Sequence, residues 1–69
     1  MNAIAAGAKI RAMRGTESQQ ALADKLNISK SALAMYERGE RIPRDEVKVR
    51  IAQHFGVSIE SIFFAPIEH

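Results

Sequence analysis

The segment Ser18-Gln19-Gln20-Ala21-Leu22-Ala23-Asp24-Lys25-Leu26-Asn27-Ile28-Ser29-Lys30-Ser31-Ala32-Leu33-Ala34-Met35-Tyr36-Glu37-Arg38-Gly39 decides the fold. Ser18 is a helix N-cap residue, because its hydroxyl oxygen accepts from backbone N–H groups left open in a first turn. It opens a helix over Gln19 to Leu26, in which Leu22, Ala23 and Leu26, at i, i+1 and i+4, share one face. Asn27 tolerates left-handed backbone and gives the exit. Ser29 caps a second helix after only a short turn. That helix runs from Lys30 to about Arg38, with Leu33 and Tyr36 at i, i+3 pointing inward. Gly39 stops it. Ala23 is small where two helices joined by a tight turn approach closely, and Ile28 plugs the turn into the core. Leu26 and Leu33 bury the inner faces. Lys30, Ser31, Ala34, Met35 and Arg38 are left outward on the second of the two helices.

Outward from this unit, residues 2–14 read as a helix. They are Ala-rich, with Ile10 and Met13 at i, i+3 and Gly15 as the stop. The loop Gly39-Glu40-Arg41-Ile42-Pro43 leads into a helix from about Arg44 to Phe55. Its core stripe is Val47, Ile51, Ala52 and Phe55; Lys48 falls at a core position and Val49 points off the stripe. Gly56 ends it. Ser58 caps a short helix from Ile59 to about Phe63, and Pro66 forbids its continuation. No segment alternates with period two except the last few residues. The expected fold class is therefore all-α, five helices in one domain over residues 1–69, with a short C-terminal strand as the one exception.

Composition removes several classes. The chain has 69 residues and no cysteine, so disulfides and thiolate metal sites are excluded. Its two histidines are too few for a metal cage on their own. We expect no metal and no cofactor. Hydrophobic residues make up 46% and charged residues 26%, a globular balance rather than a disordered one. The longest apolar run falls far short of the roughly 18 residues a membrane span needs. The first residues lack the basic and long apolar regions of a secretory signal, so a cytoplasmic location is expected. Charge is uneven along the chain. Residues 1–50 hold all ten Lys/Arg and six Asp/Glu, a net of +4; residues 51–69 hold two acids and no Lys/Arg, a net of −2. A basic body with an acidic, apolar tail suggests one face for a polyanion and another for something else.

The quoted segment resembles the lambda-repressor/Cro-type helix-turn-helix family. The family pattern is Ser-Gln, then Leu-Ala, then Leu-Gly-Val-Ser, then an aliphatic, an aromatic, Glu and Gly. The resemblance covers about residues 4–63 and includes Ile10-Arg11-x-Met13-Arg14, Pro43 after the loop, and Gly56-Val57-Ser58 before the last helix. It departs at Arg14 to Ser18, which is about two residues shorter, and at Glu17, where the family prefers an apolar residue. The resemblance implies a five-helix domain whose third helix enters the DNA major groove, a channel about 12 Å wide. It places base readout on Lys30, Ser31 and Met35. Lys30 is suited to guanine O6/N7, Ser31 to donating or accepting, and Met35 with Ala34 to thymine methyls. Gln19 matches the family's phosphate clamp, and a helix N-terminus favours an anion in any case. Arg14 and Glu37 match a structural ion pair between the first and third helices. Around the loop after the third helix, Arg38, Arg41 and Arg44 are candidate phosphate contacts, with Lys9 and Arg11 weaker ones.

Ile59, Ile62, Phe63, Phe64, Pro66 and Ile67 make an apolar end. A domain this small buries one or two of them, and adjacent Phe63 and Phe64 cannot both face one core. The surplus marks an interface. We expect Ile59, Ile62, Phe63, Phe64 and Ile67 to join two copies, with Phe64 to Ile67 as a short strand across the two-fold axis. Such a homodimer suits an inverted-repeat operator in double-stranded DNA, with half-sites about one helical turn apart. The function expected is a sequence-specific dimeric repressor. The alternative is an antitoxin or restriction–modification controller that binds its own operator and a protein partner; an antirepressor is a further partner of that kind. No membrane partner is expected. An enzyme is not, because Ser29, Ser31, Asp45 and His54 show no spacing of a nucleophile with its base. A pure protein-interaction module is disfavoured by a basic rather than acidic recognition face.

Overall fold

The computed structural model describes residues 2–64. These form five helices: α1 (Ala3–Arg14), α2 (Gln19–Leu26), α3 (Lys30–Arg38), α4 (Asp45–Phe55) and α5 (Ile59–Phe63). Among the described residues there is no strand, and the class is all-α.

The helix ends follow from local chemistry. Ser18, Ser29 and Ser58 hold extended backbone, and the side chain of each accepts the N–H three residues on, from Ala21, Ala32 and Ser61 at 3.0–3.1 Å. Asn27 (φ 57°, ψ 47°), Gly39 (φ 73°, ψ 17°) and Gly56 (φ 68°, ψ 34°) close α2, α3 and α4 in left-handed backbone. Two starts differ from the sequence reading by one residue. Asn2 is not in α1 but caps it, its Oδ1 accepting from Ala5 N–H at 3.0 Å. Arg44 is likewise the extended cap residue of α4 and makes no side-chain cap bond. Asp45 and Glu46 instead place negative charge at that positive helix end.

The core gathers one stripe from every helix: Ala6 and Ile10, Leu22 with Ala23 and Leu26, Leu33 and Tyr36, Val47 with Ile51 and Ala52, and Ile62 with Phe63. Ile28 packs partly buried against it from the α2–α3 turn. There its N–H donates to the Ala23 carbonyl at 3.0 Å. The α1–α3 contact is the most extensive, and Gly7 sets its depth. A Cβ built on Gly7 would lie 2.3 Å from the Tyr36 carbonyl oxygen and 2.6 Å from that of Glu37. Only a residue without Cβ lets α1 settle onto the backbone of α3 this closely.

Lys48 occupies the core position read from the sequence and is buried, while Val49 is exposed. The lysine stem fills core space, and its Nζ lies over the rings of Phe63 and Phe64, at 5.5 and 5.3 Å from their centroids. The Asp45 carboxylate is 3.6 Å from it.

Candidate nucleic-acid interface

Helix α3 is held on one side and open on the other. Leu33 and Tyr36 anchor it in the core, and Glu37 is buried against α1 and α2. At about 100° per residue, Lys30, Ala34, Arg38, Ser31 and Met35 share the remaining side. Lys30, Ser31 and Arg38 are exposed, whereas Ala34 and Met35 are half-buried. Two basic groups thus flank an apolar patch on one rigid helix. That is chemistry for a surface carrying both hydrogen-bonding edges and methyl groups.

Beneath this strip lies a polar network that joins three helices. Arg14, at the end of α1, donates from Nε to Glu37 Oε2 at 2.7 Å and from Nη2 to Oε1 at 3.0 Å. Its Nη1 donates to the Glu17 carbonyl at 2.6 Å, fixing the loop before α2. Gln19, at the start of α2, donates from Nε2 to Glu37 Oε1 at 3.0 Å. Burial pushes the Glu37 carboxyl up, but the hydrogen bonds from Arg14 and then Gln19, helped by the Arg14 and Arg11 charges, outweigh it. The group is held below the usual glutamate value. The same hydrogen bond raises Arg14 further above its ordinary value. The α1–α2 loop is closed by this network. Glu17 pairs with Lys25.

The candidate phosphate groups fall in different settings. The Gln19 side chain is half-buried and engaged with Glu37, so what it offers an anion is its helix-start backbone and its second amide hydrogen. Arg41 and Arg44 are exposed in the α3–α4 connection. Arg38 is exposed and forms a two-point ion pair with Glu40. Lys9 is half-buried on α1. Its Nζ donates to the Ser61 carbonyl at 2.8 Å and ties α1 to α5. Arg11 is exposed on α1.

The apolar end divides. Ile62 and Phe63 are 3% and 2% exposed, so the chain's own core consumes two residues expected at a dimer interface. A five-residue α5 docks by that pair, because it must cover the gap between α1 and α4. Ile59 packs partly buried against the core, whereas Phe64 is 52% exposed. Pro66 and Ile67, and with them most of the expected strand, lie outside the described residues.

Two features escaped sequence reasoning. Glu37 bonds Gln19 as well as Arg14, and Glu40 binds Arg38. The first depends on three segments meeting in space. The second had a local signal, an acid two residues after an arginine at a helix end.

Among the described residues no helix is long and apolar enough to cross a membrane. Comparison with curated proteins and with solved structures gives no match. A family model described as helix-turn-helix matches residues 9–62, from within α1 to the last turn of α5. With that match over most of its length, the chain belongs to the lambda-repressor/Cro type of helix-turn-helix proteins, a DNA-binding regulatory family rather than an enzyme family.

Proposed function

We propose that the chain is a sequence-specific transcriptional repressor that binds an inverted-repeat operator as a homodimer, laying α3 of each copy in the major groove. The observation that carries this reading is the two-sidedness of α3. Its inner face is locked by Leu33, Tyr36 and the buried Glu37, while Lys30, Ser31, Ala34 and Met35 form a continuous outer strip. Lys30 reads guanine, Ser31 donates or accepts, and Ala34 with Met35 covers thymine methyls. Gln19 through the start of α2, and Arg38, Arg41 and Arg44 around the loop, take phosphates and set the register. Of the expected interface residues, Ile59, half-buried, and Phe64, exposed, remain accessible to a second copy.

The test is a titration of fluorescent duplex DNA with the protein over a series of salt concentrations. For such a protein log K falls linearly with log salt, by about 0.9 for each phosphate neutralised. Lys30→Ala should weaken binding to an operator more than to an unrelated duplex. Salt-independent binding, or none, would contradict the proposal.

A further inference from the structure

Arg38 lies on the outer strip of α3, at its C-terminal end, and its guanidinium is already occupied. Nε donates to Glu40 Oε2 at 2.7 Å and Nη2 to Oε1 at 3.1 Å. The carboxylate is presented by a defined turn. The Glu40 N–H donates to the Met35 carbonyl at 3.0 Å, as part of the left-handed cap at Gly39. That cap is in turn pressed against α1, since a Cβ on Gly39 would lie 2.7 Å from Ile4 Cα. A two-point fork on a carboxylate is the same geometry a guanidinium uses on a phosphodiester. The two anions therefore compete for one group. Both side chains are more than half exposed, 57% and 54%, so the pair is weak and exchangeable.

We propose that Glu40 is a built-in competitor for the DNA backbone: it holds the Arg38 guanidinium in the free protein and must be displaced when a phosphate arrives. It thereby weakens the sequence-independent part of binding and leaves base contacts to carry a larger share of the affinity. This rests on Arg38 being a phosphate contact. The net charge brought to the DNA at this point is near zero in the wild type, because Arg38 arrives with its own counter-anion. It becomes +1 once Glu40 is neutral. The substitution Glu40→Gln keeps the shape of the side chain and the capping N–H.

The experiment compares wild type, Glu40→Gln, Arg38→Gln and the double variant on one duplex over a salt series. The expected result is that Glu40→Gln tightens binding, by up to about fivefold. Its salt slope should steepen by about 0.9. Both effects should vanish in the Arg38→Gln background. Two results would overturn the proposal: no tightening by Glu40→Gln, or equal tightening whether or not Arg38 is present, which marks a diffuse charge effect. Loss of salt-dependent binding in all four proteins, wild type included, would instead overturn the DNA-binding reading beneath it.

Discussion

Arg14 and Glu37, 23 residues apart in the chain, form a two-point ion pair that ties the end of α1 to α3, with side-chain exposures of 15% and 3%. Gln19 adds a third hydrogen bond to the same carboxylate. Removing one partner of such a pair leaves the other charged and buried, which costs more than the pair itself contributes. Glu37→Ala is expected to lower stability by about 3 kcal/mol, measured by urea unfolding at neutral pH. A loss of only a few tenths would show the pair to be an ordinary surface contact.

The same carboxylate makes stability depend on pH with a definite sign. Its folded value lies below the ordinary glutamate value of 4.5. Its contribution is then fully present above that value and is lost as the pH falls through the lower folded one. In the acid range the melting temperature of the wild type should fall toward that of Glu37→Gln, with the two well separated at pH near 7. Parallel curves across the whole range would contradict this.

Gly7 and Gly56 should differ in their response to substitution. Gly7→Ala gains helix propensity of about 1 kcal/mol. It also drives a Cβ into the Tyr36 and Glu37 carbonyls. Backbone cannot turn aside as a side chain can, and overpacking of about 1–3 kcal/mol wins. A built Cβ on Gly56 meets nothing within 4 Å, and its left-handed backbone is one Asn tolerates. Thermal melts should show Gly7→Ala well below the wild type and Gly56→Asn close to it.

Lys48 places a charged side chain at a core position. Its ammonium is buried above two aromatic rings, with a fully exposed Asp45 as counter-ion. Lys48→Met conserves the stem and removes the buried charge. It should raise stability by about 1 kcal/mol, read from the same unfolding curves. A clear loss would mean that the cation–π contacts outweigh desolvation.

Much of this architecture is legible in the residues themselves. Ser18, Ser29, Ser58, Asn27 and Gly39 announce helix ends because capping is local chemistry, decided within a few residues. The stripes of α2, α3 and α4 follow from period alone. What is not legible depends on distant segments. Gly7 reads as a weak helix residue until the carbonyls of α3, some thirty positions later, are brought against it. Lys9 reads as a free cation until α5 presents the Ser61 carbonyl. The surplus of apolar residues after Ser58 is countable, but only packing decides that Ile62 and Phe63 go inward and Phe64 outward. At the interface, the outer strip of α3 is readable from the helix period, whereas the Glu40 fork on Arg38 depends on the turn at Gly39.

Sequence reading by α3 can be tested most directly by selecting bound duplexes from a random pool. At about 150 mM salt, nonspecific phosphate binding is suppressed. The expected outcome is enrichment of an inverted repeat with half-sites about one helical turn apart. A pool that stays random while the protein is folded and dimeric would contradict it.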